Sequence, residues 1–119
     1  MNVESVRNYC LQKPGSEETF PFDEETLVFK VMGKMFALLP LEKQGTVNLK
    51  CEPSYALELR EQYPEIQPGY HMSKKHWNTI EFHSDVNDKM MCQLINDSYD
   101  LVFKSLTKKI QSEIKESEN

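Results

Sequence analysis

The chain has 119 residues, 39% of them hydrophobic and 28% charged, with a formal net charge of −5. That length suits one domain burying roughly 65% of its unfolded surface, and the composition suits a globular rather than a disordered chain. No apolar run approaches the roughly 20 residues needed to cross a bilayer, the first residues lack the basic-then-apolar order of a secretion signal, and the net acidity argues against whole-surface attraction to nucleic acid. Cys10, Cys51 and Cys92 stand far apart with no C-x-x-C pair, which predicts reduced thiols in a cytoplasmic protein, and the lack of a spanning run predicts no membrane partner.

In chain order, Val3, Val6, Cys10 and Leu11 recur near helical spacing and predict a helix over 3–12, closed by Pro14-Gly15. Residues 16–25 hold Glu17, Glu18, Asp23, Glu24 and Glu25 with no base, and read as an acidic loop around Phe20-Pro21-Phe22. Residues 27–31 and 35–40 read as strands joined by a tight turn at Gly33-Lys34. A turn at Gln44-Gly45 leads to the alternating stretch 46–50, which completes an antiparallel meander. Pro53 suits the first turn of a helix whose Ala56, Leu59 and Tyr63 mark one face.

Pro64, Pro68 and Gly69 punctuate a loop, and 76–82 read as a further strand. Ser84 or Asp85 is suited to cap a helix carrying Met91, Leu94 and Ile95. Val102, Leu106, Ile110 and Ile114 continue at spacing four. Asn96-Asp97-Ser98 favour caps over helix interiors, which predicts a break and a second helix starting there. The polar tail from about residue 113 is expected to fray. Together these elements predict a single α+β domain over 1–119, a two-layer sandwich with an antiparallel sheet and helices on one face.

One layer of helices leaves the other sheet face open, and strand parity then sorts side chains between the two. Leu27, Phe29, Val31, Val47 and Leu49 point inward, which sends Lys30, Asn48 and Lys50 to the open face. Ile80 and Phe82 pointing inward sends Trp77 to that face as well. A single bulge between Trp77 and Ile80 would return the indole to the core, so parity leaves both placements open.

Catalytic signatures are missing. Gly15, Gly33, Gly45 and Gly69 are the only glycines, each at a turn, and they build neither a phosphate cradle nor a dinucleotide fingerprint. No G-x-S-x-G elbow or cysteine nucleophile motif occurs. The expectation is a non-enzymatic protein without a cofactor. His71, His76 and His83 are not at the i, i+4 spacing of a helical zinc pair. The acidic run could collect hard cations, although solvation of a loop is the simpler reading. The stretch P-G-Y-H-M-S-K-K-H-W-N-T-I-E-F (68–82) carries more. Lys74 and Lys75 beside His71, His76 and Trp77 combine phosphate-neutralising cations with stacking rings, and the Gly33-Lys34 turn could lay a wing along a phosphate backbone. Against that stands ordinary lysine solubility, with Tyr70 and Trp77 closing the core.

Several stretches together are similar to the MmcQ/YjbR family of small bacterial proteins: K-P-G-S-E-E-T-F-P-F (13–22), L-V-F-K-V-M-G-K-M-F-A-L (27–38), V-N-L-K-C-E-P (47–53), P-G-Y-H-M-S-K-K-H-W-N-T-I (68–80) and S-Y-D-L-V (98–102). The resemblance implies a fold similar to bacterial frataxin and DNA binding through a double-wing arrangement. It implies contact positions at Lys30, Lys34, Lys50, Tyr70, His71, Lys74, Lys75, His76 and Trp77. The leading expectation is phosphate contact to DNA through Lys34, Lys50, Lys74, Lys75 and Trp77. The alternatives are a protein-interaction module using the same face or a sheet edge, and a metal or small-ligand site near the histidines or the acidic loop.

Overall fold

The computed structural model describes residues 1–42, 45–69 and 72–117. Its elements run α1 (Val3–Leu11), β1 (Ser16–Thr19), β2 (Thr26–Val31), β3 (Lys34–Pro40), β4 (Thr46–Lys50), α2 (Pro53–Gln62), β5 (Ile66–Pro68), β6 (Trp77–Glu81), α3 (Asp88–Lys104) and α4 (Lys108–Ser117). The strands form one sheet in the order β1-β2-β3-β4-β6-β5, and all of its pairings are antiparallel. Two edge strands join the four expected from the sequence. Ser16–Thr19, read as part of an acidic loop, pairs along β2, and Ile66–Pro68, read as a loop, pairs along β6.

Leu27, Phe29 and Val31 of β2, Phe36, Ala37 and Leu39 of β3, and Val47 and Leu49 of β4 form one face of the main core. The helices close it with Val6, Cys10, Ala56, Leu59, Met91, Ile95, Tyr99 and Ile114. Phe36 and Ala37 are neighbours yet share this core. The cause is a bulge: Phe29 pairs with Ala37 while Lys30 pairs with Met35, leaving Phe36 as the extra residue.

Helix starts follow side-chain caps. Asn2 accepts from Ser5 N (2.8 Å) while Ser5 Oγ accepts from Asn2 N (2.8 Å), a reciprocal box that satisfies two orphan donors. Pro53 opens α2 behind the Glu52 carboxylate, which accepts from Ser54 N (3.3 Å) and Tyr55 N (3.2 Å). The cap of α3 is Asn87, whose Oδ1 accepts from Met90 N (2.8 Å), rather than Ser84 or Asp85.

The break expected at Asn96-Asp97-Ser98 does not occur, and α3 runs unbroken to Lys104. All three residues bond in ways that leave the helix intact. Asn96 Oδ1 accepts from Tyr9 Oη (2.8 Å) and from Lys13 Nζ. Asp97 accepts from Gln93, one turn earlier, at 2.9 Å. Ser98 Oγ donates to Phe36 O (2.5 Å) and accepts from Lys50 N (2.8 Å). Pairing between β3 and β4 runs through Ala37–Leu49 and Leu38–Asn48; at the next step the Ser98 hydroxyl stands between the strands and replaces the rung that the bulge disturbs. Helix α4 extends through Ser117, and its Ile114 is buried against Gly15, where an added Cβ would meet the isoleucine at 3.4 Å.

Candidate nucleic-acid interface

Strand register decides which candidate residues meet. β2 ends, β3 begins, β4 ends and β6 begins at the same end of the sheet. The Met32-Gly33 turn, Lys34, Lys50 and the 72–76 loop therefore share that end, with β6 two strands from β3, roughly 10 Å at the usual spacing. Lys30 and Lys50 lie half-buried on the open face, while Lys34, Lys74 and Lys75 are exposed. Lys34 pairs with the core-facing Val31, so it leaves the hairpin on the helix side, and its Nζ donates to Ser105 Oγ at 3.2 Å. That contact adds the exposed Lys104, Lys108 and Lys109 of the α3–α4 junction to the same end. His76 is half-buried in the turn before β6. Tyr70 and His71 lie outside the described residues.

The opposite end gathers acids. Asp23, Glu24 and Glu25 precede β2, Glu42 follows β3, Glu81 ends β6, and Asp88 opens α3. Leu41 N donates to Glu25 O at 2.7 Å, which ties two of these segments together. Hydrogen bonding to Glu42, with some burial and its charge, raises the Glu25 pKa above the ordinary carboxylate range. Glu52, the acid nearest Lys50 in sequence, is held below that range by its bonds to Ser54 and Tyr55. Lysines thus predominate at one end and acids at the other, with Glu17 opposite Lys30, Asp97 in the hollow beside Lys50 and Lys89 in the first turn of α3 as exceptions.

Trp77 is on the open face, as parity allows, and β6 pairs with β4 without a bulge from Trp77 to Glu81. The indole is nevertheless only 7% exposed. It forms a second, smaller cluster with Val28 and Leu38, and Met35 and Met72 pack against it. The bulge that would return the indole to the main core is absent; the ring stays on the open face and is buried there by its own cover. A covered ring has no free face on which a base could stack.

The segment leading into Trp77 is stapled from three sides. Ser73 O accepts from His76 N (3.1 Å) and Trp77 N (3.0 Å), while His76 O accepts from Cys51 N (2.7 Å). Gly69 N donates to Trp77 O (2.8 Å), and a Cβ at Gly69 would sit 2.8 Å from Trp77 Cβ, so this approach admits only glycine. Arg60 of α2 is the third staple. Its Nε donates to Asn78 Oδ1 (2.6 Å), and its Nη2 donates to Trp77 O (3.2 Å) and to Lys74 O. Asn78 is 1% exposed on the core side, and its Nδ2 has no partner among the described residues. With Lys50, Cys51 and Asp97 it lines a small hollow beneath β4.

Sequence reasoning passed over Arg60 and Asn78. A signal existed for the first: Ala56, Leu59, Arg60 and Tyr63 follow the i, i+3, i+4, i+7 pattern of an inward stripe, with a cation at one of its positions.

Burial pushes the Cys10 thiol up to about 12, and burial with Asp97 and Glu52 nearby pushes Cys51 up to about 11. Neither is a thiolate near neutral pH, so neither is primed as a nucleophile. Among the described residues no three histidine, cysteine or acidic side chains gather as metal ligands. Likewise, no described helix is long and apolar enough to cross a membrane.

These features define an α+β sandwich with one sheet face open and a stapled, lysine-bearing loop at one end. The YjbR family model matches residues 11–101. The uncharacterised protein YbdF of Escherichia coli O157:H7 is 38% identical over 114 residues, covering 94% of this chain and 93% of that protein. The uncharacterised protein YjbR of Escherichia coli K12 is 31% identical over 100 residues, covering 83% and 85%. A Deinococcus radiodurans crystal structure superposes with a TM-score of 0.86 at 41% identity, covering 94% of this chain and 86% of that one. A Pseudomonas syringae crystal structure gives 0.73 at 28% identity, covering 86% and 99%. The chain belongs to the YjbR family.

Proposed function

We propose that this protein is a non-enzymatic DNA-binding protein that contacts phosphates through the lysine end of its sheet, with Lys30, Lys34, Lys50, Lys74 and Lys75 as the contacting residues. The observation that carries the reading is the register, which brings the β2–β3 hairpin, the end of β4 and the stapled 72–77 loop to one end while acids collect at the other. Charge separated in this way lets an acidic protein present a local cationic surface and orients it toward a polyanion. Trp77 supports the loop from beneath, and burial of its ring favours duplex over single-stranded DNA, because stacking platforms serve unpaired bases.

The test is an anisotropy titration of a short labelled duplex over a series of salt concentrations. Binding should be saturable and weaken steeply with salt, and Lys74→Ala and Lys75→Ala should each lower the salt slope by about one. Binding that ignores both salt and these substitutions sinks the proposal. A second reading, a protein-interaction module, is favoured by the exposure of Phe20 (47%) and Phe22 (64%) beside the edge strand β1. A pull-down partner lost in Phe22→Ser and insensitive to salt would support it.

A further inference from the structure

The hairpin between β2 and β3 closes through the Val31–Lys34 pair with Met32 and Gly33 as its two-residue loop. Both have positive φ, 50° at Met32 and 80° at Gly33, as a two-residue turn of the primed type requires. Glycine, asparagine and aspartate suit the first of these positions, and a methionine there meets steric resistance. Met32 is also 50% exposed and belongs to neither hydrophobic cluster. Its side chain therefore neither packs the core nor suits its backbone, and strain at an exposed tip points to use at the surface.

The flanking residues say what kind of surface. Lys30, half-buried and paired across to Glu17 of β1, leaves the ribbon on the open face, and the exposed Lys34 leaves it on the helix face, so an apolar tip has a lysine on each side. The minor groove of duplex DNA, about 6 Å wide, has phosphates along both walls, and proteins that enter it insert apolar side chains such as methionine between base steps. The Lys34 contact with Ser105 Oγ is solvent-exposed, and a phosphate oxygen can take its place. We infer that Met32 is a wedge that enters the minor groove and partly unstacks a base step, with Lys30 and Lys34 on the two phosphate walls. This rests on the DNA-binding reading above and adds to it a groove, a bend and a residue.

The experiment uses the full chain and a short duplex labelled at both ends for energy transfer, with anisotropy read in parallel, for wild type, Met32→Leu and Met32→Asn. Asparagine suits the left-handed backbone, so Met32→Asn should melt at or above the wild-type temperature, which also shows that it folds. It should bind about tenfold more weakly, without the energy-transfer change that reports bending. Leucine should keep the bend, and neither variant should change the salt slope, because no cation is removed. Wild type that binds without bending, or Met32→Asn that binds and bends like wild type, overturns the wedge and leaves the DNA reading standing. Absence of duplex binding by wild type at low salt overturns the DNA reading itself.

Discussion

Val28 and Phe29 are neighbours in β2, and both are fully buried, yet they serve different structures. Phe29 faces the helices and belongs to the main core, which draws on every helix and most strands. Val28 faces the other way, into a smaller cluster whose other buried members among the described residues are Leu38 and Trp77. One face of this sheet holds the fold together. The other holds a loop to the sheet, since Met72 packs on the small cluster and Trp77 ends the stapled segment. The difference separates what the protein needs in order to fold from what it needs in order to present Lys74 and Lys75.

That separation can be broken by adjacent substitutions. Phe29→Ala should cost about 4 kcal/mol, because a fully buried aromatic leaves a cavity in a rigid core. Val28→Ala should cost about 2 kcal/mol, with a distinct signature: faster amide exchange at His76 and Trp77 and red-shifted Trp77 emission, while α1 and α3 keep their protection. Chemical denaturation followed by exchange measurements reads both. Equal loss of protection everywhere in Val28→Ala would mean that the two clusters act as one.

Ser98 joins the two regions, since its hydroxyl bonds the bulged Phe36 and the backbone of Lys50. Ser98→Ala leaves a buried carbonyl and a part-buried N–H without the hydroxyl and should cost about 2 kcal/mol. Arg60 acts more locally. Arg60→Ala should cost about 1 kcal/mol by removing part-exposed bonds, and should weaken DNA binding with an unchanged salt slope if the arginine positions the loop rather than touching a phosphate. Arg60→Lys should rescue poorly, because an ammonium cannot reproduce the fork that reaches Asn78 and two carbonyls.

Much of this arrangement was legible in the sequence, and the exceptions share a cause. Alternation in 27–31 and 46–50 put Lys30 and Lys50 on the open face, and Pro53 marked the start of α2. For Trp77 parity offered the open face that the structure shows, beside a bulged alternative that it does not. It could not report burial there, because the cover comes from Met72 and from Leu38, distant in sequence. β1 was missed because Ser16–Thr19 carries no apolar alternation; its strand character comes from pairing with β2, and Glu18 is held by Arg7 through contacts of 2.6 and 2.7 Å. β5 is three residues ending in proline, tolerated because it is an edge. At Asn96-Asp97-Ser98 local propensity gave the wrong answer because side-chain partners, all but Gln93 outside the helix, outweigh it. In each case a non-local partner decided the outcome, and the β3 bulge at Phe36 belongs to the same group.

The smallest expected effect concerns the acidic end, and it tests whether charge separation has a stability cost. Two glutamates there and in β1 shift in opposite directions. Hydrogen bonding to Arg7 holds Glu18 below the ordinary carboxylate range, so its contribution is present above the unfolded pKa and is lost as pH falls through the lower folded one. Glu25 is raised, chiefly by its hydrogen bond to Glu42. Its contribution is fully present below the unfolded pKa and is lost as pH rises through the folded one, so at neutral pH the two carboxylates repel. Glu42→Gln should therefore raise the melting temperature slightly at pH 7, with the gain shrinking as pH falls through the carboxylate range. Arg7→Gln should lower it at pH 7, with that loss also shrinking on acidification. Melting curves of both variants between neutral and acidic pH separate the cases: a Glu42→Gln gain that persists in acid would come from something other than relieved repulsion. A gain that vanishes would mean that the acids are gathered at this end at some expense to stability, which is what a protein using its opposite end to meet a polyanion would tolerate.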